Sequence, residues 1–249
     1  MINIMLSHKS IRAFKNDDIP DELLQKILLG GTRASTTGNI QAYSIIVTSE
    51  KEQKNKLWQA HFKQSMVLEA PLHLTFCADF NRFSEWCKVR KAEPGYDNFL
   101  SFFTAAIDAL LVSQNIVLAA EAEGLGICYL GTATYNAHLL IEILELPKLV
   151  VPVASIVLGY PAENPGLTDR LPLEGVVHTE KYKNYVSADI DRIYAEKENL
   201  EQTRELLKIN QKETLAQIFA EKRYPKNDNQ FFSLRYLKTI ADQGFMHNE

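Results

Sequence analysis

The sequence predicts a three-layer α+β domain, with about four strands placed among a larger number of helices. Residues 44–48 (SIIVT), 72–78 (LHLTFCA) and 150–159 are rich in β-branched and apolar residues, which is typical of strands. Segments with helical spacing of apolar residues come before, between and after these strands, so helices can cover both faces of one sheet. At 249 residues, the chain is long enough to bury a sizeable core.

The elements of the first hundred residues follow from local signals. A helix is predicted to begin after Pro20, because proline suits the first turn, and to end near Gly30. Residues 33–41 (RASTTGNIQ) are predicted to form a polar loop, and residues 51–60 a charged helix. Residues 81–98 mix charges, aromatic rings and proline without a clear period, so we expect them to be irregular or partly helical.

The longest predicted helix covers residues 101–123 and is apolar on nearly every face. A helix of this kind is buried, either in a large core or between subunits. Asp108, Glu121 and Glu123 interrupt it with charge, so each must find a polar partner and a bilayer span is not expected.

The C-terminal half begins with strands at 127–131 and 150–159, joined by a helix that ends at Leu144. Residues 189–230 are strongly charged, which predicts a charged excursion or mobile segment. Residues 231–245 are amphipathic and are predicted to form a C-terminal helix. No repeat or low-complexity tract interrupts the chain, so we expect one domain over residues 1–249.

Composition argues against several classes of protein. The net charge of −4 gives no reason to expect nucleic acid binding, and no apolar run reaches the roughly 20 residues that a membrane helix needs. The cysteines are three and scattered, which favours reduced thiols in the cytoplasm, and no export signal is expected. The histidines are isolated and show none of the spacings typical of metal ligands, so no metal site is expected. No G-x-S-x-G motif for a nucleophilic serine is present. A bound cofactor would therefore have to supply any difficult chemistry.

One pentapeptide near the N-terminus, residues 8–12 (H-K-S-I-R), combines two cations, a hydroxyl and an imidazole. These groups belong to His8, Lys9, Ser10 and Arg12. Such a segment can wrap a phosphate, although a solvated basic turn is the alternative. The motifs E-G-L-G, Y-L-G and L-G-Y-P follow at residues 123–126, 129–131 and 158–161. Together, up to about Val177, these features resemble the nitroreductase superfamily. The most similar branch is that of NADPH–flavin oxidoreductases and oxygen-insensitive NADPH nitroreductases, in which an H-[RK]-S-[IV]-R motif binds FMN.

The resemblance implies a homodimeric nitroreductase-like fold, in which helices flank a central, mainly antiparallel sheet. It implies a non-covalent FMN that carries two electrons, by a ping-pong mechanism, from NADPH or NADH to a small-molecule acceptor such as a nitroaromatic, a quinone or free flavin. No catalytic side chain is expected, because water or the flavin can deliver protons. A flavin-binding sensor or carrier without turnover remains open, as does another superfamily enzyme such as a dehalogenase or a flavin-fragmenting enzyme.

The resemblance also assigns cofactor-binding residues. It places His8, Lys9 and Ser10 at the phosphate. Arg12 corresponds to an arginine near the ribityl and pyrimidine side, where a cation stabilises the negative charge of the reduced ring. Thr36 matches a loop hydroxyl contributed across the dimer interface, with an ordinary loop threonine as the alternative.

Further assignments lie later in the chain. Gln64 matches a glutamine that hydrogen-bonds the flavin ring, although by itself it would be interpreted as a surface helix residue. Arg170 matches a second phosphate-binding arginine, and Thr168 stands where lysine is usual, so one charge contact is missing. The last match is to a segment whose backbone runs beside the flavin ring, and it covers Tyr129, Leu130 and Gly131. A core strand that ends at a glycine is the alternative interpretation of these residues.

The coenzyme-binding loop departs most from the family pattern. In the most similar relatives, clustered arginines there bind the 2′-phosphate of NADPH. The candidates in this chain are Arg204, Lys208 and Lys212, which are interspersed with glutamates. Alternating charge favours an exposed helix, so we expect only a weak preference for NADPH, with NADH usable.

Overall fold

The computed structural model describes residues 2–247 and contains, in that range, one four-stranded sheet and twelve α-helices. The strands are β1 (Tyr43–Thr48), β2 (Leu72–Asp79), β3 (Gly126–Tyr129) and β4 (Val150–Gly159). The first eight helices are α1 (Ile2–Leu6), α2 (Asp21–Gly31), α3 (Lys51–Ala60), α4 (Met66–Glu69), α5 (Asn81–Val89), α6 (Phe99–Ala122), α7 (Thr132–Tyr135) and α8 (Ala137–Ile143). The last four are α9 (Ser187–Asn199), α10 (Glu201–Asn210), α11 (Leu215–Ile218) and α12 (Lys226–Asp242).

The sheet has the order β1-β2-β4-β3, and every neighbouring pair is antiparallel. The predicted α+β class with a mainly antiparallel sheet is therefore confirmed. β2 is buried along its whole length because it pairs with strands on both sides. The register of β2 with β4 shifts between Phe76 and Cys77, beside Pro152. A bulge at this point accommodates a proline, which has no N–H to donate to the ladder.

Helices cover both faces of this sheet, which gives three layers. On one face, α6 and α2 bury a cluster that includes Phe76, Ile116 and Ile156. On the other face, α3 and α8 pack Leu57 and Leu140 against the sheet. Fully burying one such side chain contributes about 1.5–3 kcal/mol, so these two clusters supply the main drive for this layer arrangement.

α6 confirms the long apolar helix that the sequence predicts. Its first turn is capped by Asn98, whose Oδ1 accepts a hydrogen bond from the backbone N–H of Ser101 at 3.0 Å. Helix α6 is long and apolar enough to span a bilayer by length and composition, but it packs against β2 and α2. The three carboxylates of the predicted helix have polar partners: Asp108 and Glu121 lie within α6 and accept hydrogen bonds, and Glu123, just after its end, forms a 2.7 Å ion pair with Lys26.

Two compact units divide the chain. The first contains residues 2–166 and 233–247, with the whole sheet, and the second contains residues 167–232. In the second unit, the strongly charged sequence folds into helices α9, α10 and α11, with Ile193, Leu215 and Ile218 buried. The prediction of one domain with a charged excursion over residues 189–230 stays a prediction.

Of two further predicted segments, the structure confirms one and corrects the other. Residues 81–98, predicted to be irregular or partly helical, contain α5 and then an irregular stretch up to α6. The predicted bounds of the C-terminal helix, residues 231–245, were wrong at both ends, because α12 begins at Lys226 and ends at Asp242. Pro225 directly precedes this helix, and its carbonyl accepts the backbone N–H of Asn229, six residues before the apolar pattern begins at Phe231.

Candidate functional site

The N-terminal pentapeptide lies along the free edge of β3. The backbone N–H of Ile11 donates to the carbonyl of Ile127 at 2.8 Å, and Ser10 forms a parallel bridge with the same residue. Close approach is required here, because a Cβ on Gly126 would lie only 2.6 Å from Cγ1 of Ile11. The sheet edge therefore fixes the backbone that carries His8 and Arg12.

Glu163 holds the same segment from its other side. Its Oε1 accepts the backbone N–H groups of Arg12 and Ala13, the latter at 3.1 Å. These two hydrogen bonds hold the pKa of Glu163 below its usual range. The Arg12 side chain is exposed and forms no ion pair or hydrogen bond with another side chain in residues 2–247. Its charge is therefore available to an anionic ligand.

The first two residues of the motif are oriented by side chains from elsewhere in the first unit. Nδ1 of His8 lies 2.6 Å from Oε1 of Glu121, at the end of α6. Nζ of Lys9 donates to Oδ1 of Asn164 at 2.8 Å. Sequence reasoning missed the roles of Glu121, Glu163 and Asn164 toward this segment, because each lies more than 100 residues away along the chain.

Gln64 and residues 129–131 are brought together through Thr132. The Nε2 group of Gln64 donates to the carbonyl of His61 at 3.1 Å and lies 3.5 Å from Oγ1 of Thr132. Thr132 is the first residue of α7 and directly follows Gly131. Gly131 is exposed, and a Cβ placed on it would meet nothing within 4 Å, so open space adjoins this backbone. A planar group could approach the chain at this point.

The other two residues of this segment differ in exposure, since Leu130 is buried whereas Tyr129 is exposed except at its hydroxyl. Leu130 is buried, and its backbone N–H donates to the carbonyl of Ser155 at 2.9 Å. The hydroxyl of Tyr129 lies 2.8 Å from Oγ of Ser113 on α6, and burial raises the pKa of Tyr129. These contacts fix the backbone between β3 and α7.

A pair of buried histidines lies behind Thr132. Nε2 of His61 is 3.1 Å from Nε2 of His73, and Nδ1 of His61 is 2.7 Å from Oγ1 of Thr132. Both histidines are fully buried, which lowers the pKa of His61 to about 4 and that of His73 to about 3. His73 is a packed core residue of the fully buried strand β2. Nothing in the sequence pattern singles out His61.

The loop that carries Thr36 is attached to α6 by a buried carboxylate. Asp108 accepts the backbone N–H groups of Thr37 at 2.9 Å and Ala42 at 3.2 Å. Thr36 is half-buried, precedes a short 3₁₀ turn, and makes no capping hydrogen bond with its side chain. Its role across a dimer interface stays a prediction.

Arg170 lies in the second unit. It is exposed, and its Nη1 donates to Oγ1 of Thr168 at 2.7 Å and to the carbonyl of Asp169 at 2.9 Å. Thr168, which replaces the usual lysine, therefore orients the arginine that follows it. In the same unit, Lys212 forms an ion pair with Glu221.

Potential metal ligands and cysteine thiols are the remaining reactive groups of residues 2–247. Within that range, no group of three His, Cys, Asp or Glu side chains is arranged to hold a metal ion. All three cysteines are free and buried, and burial raises the pKa of the Cys77 thiol.

The chain is similar to known proteins over most of its length. The model of the nitroreductase family matches residues 5–160. The FMN reductase [NAD(P)H] of Bacillus subtilis (strain 168) is 34% identical over 186 residues, which cover 74% of this chain and 75% of that protein. The oxygen-insensitive NADPH nitroreductase of Salmonella typhimurium (strain LT2) is 34% identical over 182 residues, which cover 73% and 74%. A crystal structure from Bacteroides fragilis NCTC 9343 superposes with a TM-score of 0.97 at 49% identity, covering 98% of this chain and 99% of that one. The chain therefore belongs to the nitroreductase family, as the motifs predict.

Proposed function

We propose that this protein is an FMN-dependent NAD(P)H oxidoreductase that transfers two electrons to a small-molecule acceptor. The observation that carries the proposal is the fixed cationic segment His8–Arg12, in which the sheet edge and Glu163 hold the backbone while the Arg12 guanidinium stays exposed. The names of the relatives, an FMN reductase and an NADPH nitroreductase, support the same class of reaction.

The residues of the site suit FMN. Arginine and lysine are donors matched to phosphate oxygens. His8 adds a ring N–H donor and Ser10 a hydroxyl donor within the same pentapeptide. The open space beside Gly131 admits a planar ring next to the backbone. The Gln64 amide lies close to this space, because it is 3.5 Å from the hydroxyl of Thr132, the residue after Gly131. His8, Lys9 and Ser10 would hold the phosphate, while Arg12, Gln64 and residues 129–131 would contact the ring system. The phosphate role of Arg170 stays a prediction from the family resemblance.

In the proposed mechanism, bound FMN supplies reversible two-electron chemistry between a reduced nicotinamide and the acceptor. The reduced coenzyme and the acceptor would use the same site in turn, which gives ping-pong kinetics. Arg12 would supply a fixed positive charge beside the ring, where negative charge develops on reduction. Gln64 would orient the ring through its amide, and Glu163 holds the backbone of Arg12 in place. No side chain is proposed as a catalytic acid or base.

We also propose that the protein is a cytoplasmic homodimer. One face of α6 leaves five large apolar side chains between 41% and 52% exposed, namely Phe99, Phe103, Ile107, Leu110 and Leu111. An apolar stripe of this size on a single helix is typical of a protein–protein interface. A second copy of the chain would cover it, and Thr36 would reach the partner's FMN from the loop that Asp108 holds against the same helix.

The phosphate contacts give the sharpest test of the proposed site. Purified protein is titrated with FMN and with riboflavin, which has the same ring but no phosphate, and binding is followed by flavin fluorescence. We expect FMN to bind at least tenfold more tightly, because charge-assisted hydrogen bonds contribute roughly 1.5–3 kcal/mol each. Lys9→Ala should lower the affinity for FMN and leave that for riboflavin nearly unchanged, while Arg204→Ala serves as the control. Equal binding of both ligands, or of neither, would contradict the proposed site.

A further inference from the structure

The turn that carries Gln64 has an unfavourable backbone. Helix α3 ends at Ala60 with His61 as its C-cap, and the next two residues, Phe62 and Lys63, have left-handed φ values of 53° and 58°. Residues with a Cβ rarely adopt this conformation, and two in succession persist only where the surroundings hold them. The position of Gln64 therefore depends on what fixes this turn.

Backbone hydrogen bonds account for part of that support. The N–H of Lys63 donates to the carbonyl of Trp58 at 2.9 Å, and the N–H of Gln64 donates to the carbonyl of His61 at 3.3 Å. The side-chain amide of Gln64 donates to the same carbonyl at 3.1 Å. His61 thus anchors both the backbone and the side chain of Gln64.

The His61 ring connects this anchor to the neighbouring segment. Its Nδ1 lies 2.7 Å from Oγ1 of Thr132, the residue that follows Gly131. The Gln64 amide lies 3.5 Å from the same hydroxyl, at the limit of a hydrogen bond. One imidazole therefore bridges the turn that carries Gln64 and the start of α7.

His73 holds that ring from behind. The two Nε2 atoms are 3.1 Å apart, and burial lowers the pKa values of both rings, so at neutral pH they share one N–H between them. If Thr132 donates its hydroxyl hydrogen to Nδ1 of His61, the Nε2–H of His61 points at His73. In that arrangement Nδ1–H of His73 faces Oγ1 of Thr75 at 3.5 Å. Each ring nitrogen of the two histidines then has a hydrogen-bonding partner.

We infer that His61 is a positioning residue, which fixes the Gln64 amide and the Thr132 hydroxyl side by side at the edge of the cofactor site, with His73 bracing its ring. This inference rests on the proposed function, because Gln64 and residues 129–131 are the proposed contacts of the FMN ring. It assigns the buried histidine pair a role in ligand binding that goes beyond packing of the core.

Two substitutions of His61 separate its two contacts. An asparagine amide reaches about as far as Nδ1, so His61→Asn keeps a partner for Thr132 and leaves His73 unpaired. A glutamine amide reaches about as far as Nε2, so His61→Gln keeps the contact with His73 and loses that with Thr132. We expect His61→Gln to raise the Kd for FMN about five- to tenfold and His61→Asn to raise it less, since one hydrogen bond is worth roughly 0.5–1.5 kcal/mol. The order should reverse for Tm, with His61→Asn the less stable variant.

Thr132→Val tests the same contact without changing the buried pair. It should weaken FMN binding as much as His61→Gln, and the double variant should be no worse than either single one. Ser155→Ala is the matched control, because its hydroxyl is fully buried on β4 and forms no hydrogen bond within residues 2–247. It should leave the Kd unchanged.

The possible results distinguish this inference from the proposed function. Wild-type protein that binds no FMN would overturn both. Wild-type protein that binds FMN, with His61→Gln and Thr132→Val binding equally tightly, would overturn the positioning role alone. Losses of affinity that simply follow Tm across all variants would also overturn it, because the role would then be purely structural.

Discussion

Nδ1 of His8 lies 2.6 Å from Oε1 of Glu121, so the last turn of α6 orients the first residue of the H-K-S-I-R motif. With Nδ1 engaged, Nε2 is the nitrogen left to face a ligand. Glu121 is largely buried, with 11% of its side chain exposed, whereas His8 is more open at 28%. The carboxylate therefore acts as a fixed support for a ring at the surface.

We predict that Glu121→Ala weakens FMN binding roughly tenfold, because a charge-assisted hydrogen bond that orients His8 is lost. Glu123→Ala is the matched control: it removes a carboxylate two residues away that pairs with Lys26. The Kd values of both variants are measured by quenching of flavin fluorescence. Equal affinities in the two variants would show that His8 needs no support from α6.

The exposed face of α6 predicts the oligomeric state. Leu110→Asp places a charge in the centre of the apolar stripe, and we expect it to convert a stable dimer into a 28.3 kDa monomer with weaker FMN binding. Ile209→Asp serves as the control, since Ile209 is 77% exposed on α10. Sedimentation velocity on both variants decides the question. A wild-type monomer that still holds FMN would contradict the dimer.

The buried histidines predict how stability depends on pH. In the unfolded chain both titrate near the ordinary histidine pKa of about 6.5, whereas the folded values are lowered to about 4 and about 3. The unfolded state therefore binds more protons as the pH falls below about 6.5, so the stability present at neutral pH is lost on acidification. The loss between pH 7 and pH 5 amounts to at most about 2 kcal/mol for each histidine.

Replacing both rings by leucine should flatten this dependence. The double variant His61→Leu/His73→Leu removes both partners of the buried pair together, which costs less than removing one. Urea unfolding at pH 7 and pH 5 measures the change in free energy for each protein. A variant that loses as much stability as the wild type over this range would show that other groups dominate the acid sensitivity.

The second unit predicts a modest coenzyme preference. Lys212 is already paired with Glu221, and the stretch from residue 206 to residue 213 contains no arginine. Exposed lysine–phosphate contacts are worth up to about 1 kcal/mol each, so one or two give roughly five- to thirtyfold discrimination. We expect NADPH to be favoured within that range, and Lys212→Ala to raise mainly its KM. A thousandfold preference in kcat/KM that persists in the Lys208 and Lys212 alanine variants would contradict this expectation.

Sequence reasoning found the elements whose signal is local. The β-branched runs became β1, β2 and β4, and the apolar stretch that became α6 was recognised together with the need of its charged residues for partners. The H-K-S-I-R motif was found because its donors are consecutive. Each of these features can be detected within a short window of residues.

The supporting contacts were missed because they join distant parts of the chain. Glu163 reaches Arg12 across 151 positions, and His61 meets His73 only because α3 returns the chain to the buried strand β2. The early start of α12 at Lys226 was missed for another reason: its first residues carry no apolar pattern. Pairings of this kind are set by the sheet topology and not by any local preference.

The most direct test of the proposed function is the reaction of the FMN-loaded protein with NADPH under air-free conditions. The reaction is followed by absorbance at about 450 nm, where oxidised flavin absorbs. We predict rapid loss of this absorbance and its recovery when a quinone or a nitroaromatic compound is added. Protein that binds FMN but stays yellow with both NADPH and NADH would contradict the account, because it would be a flavin carrier without turnover.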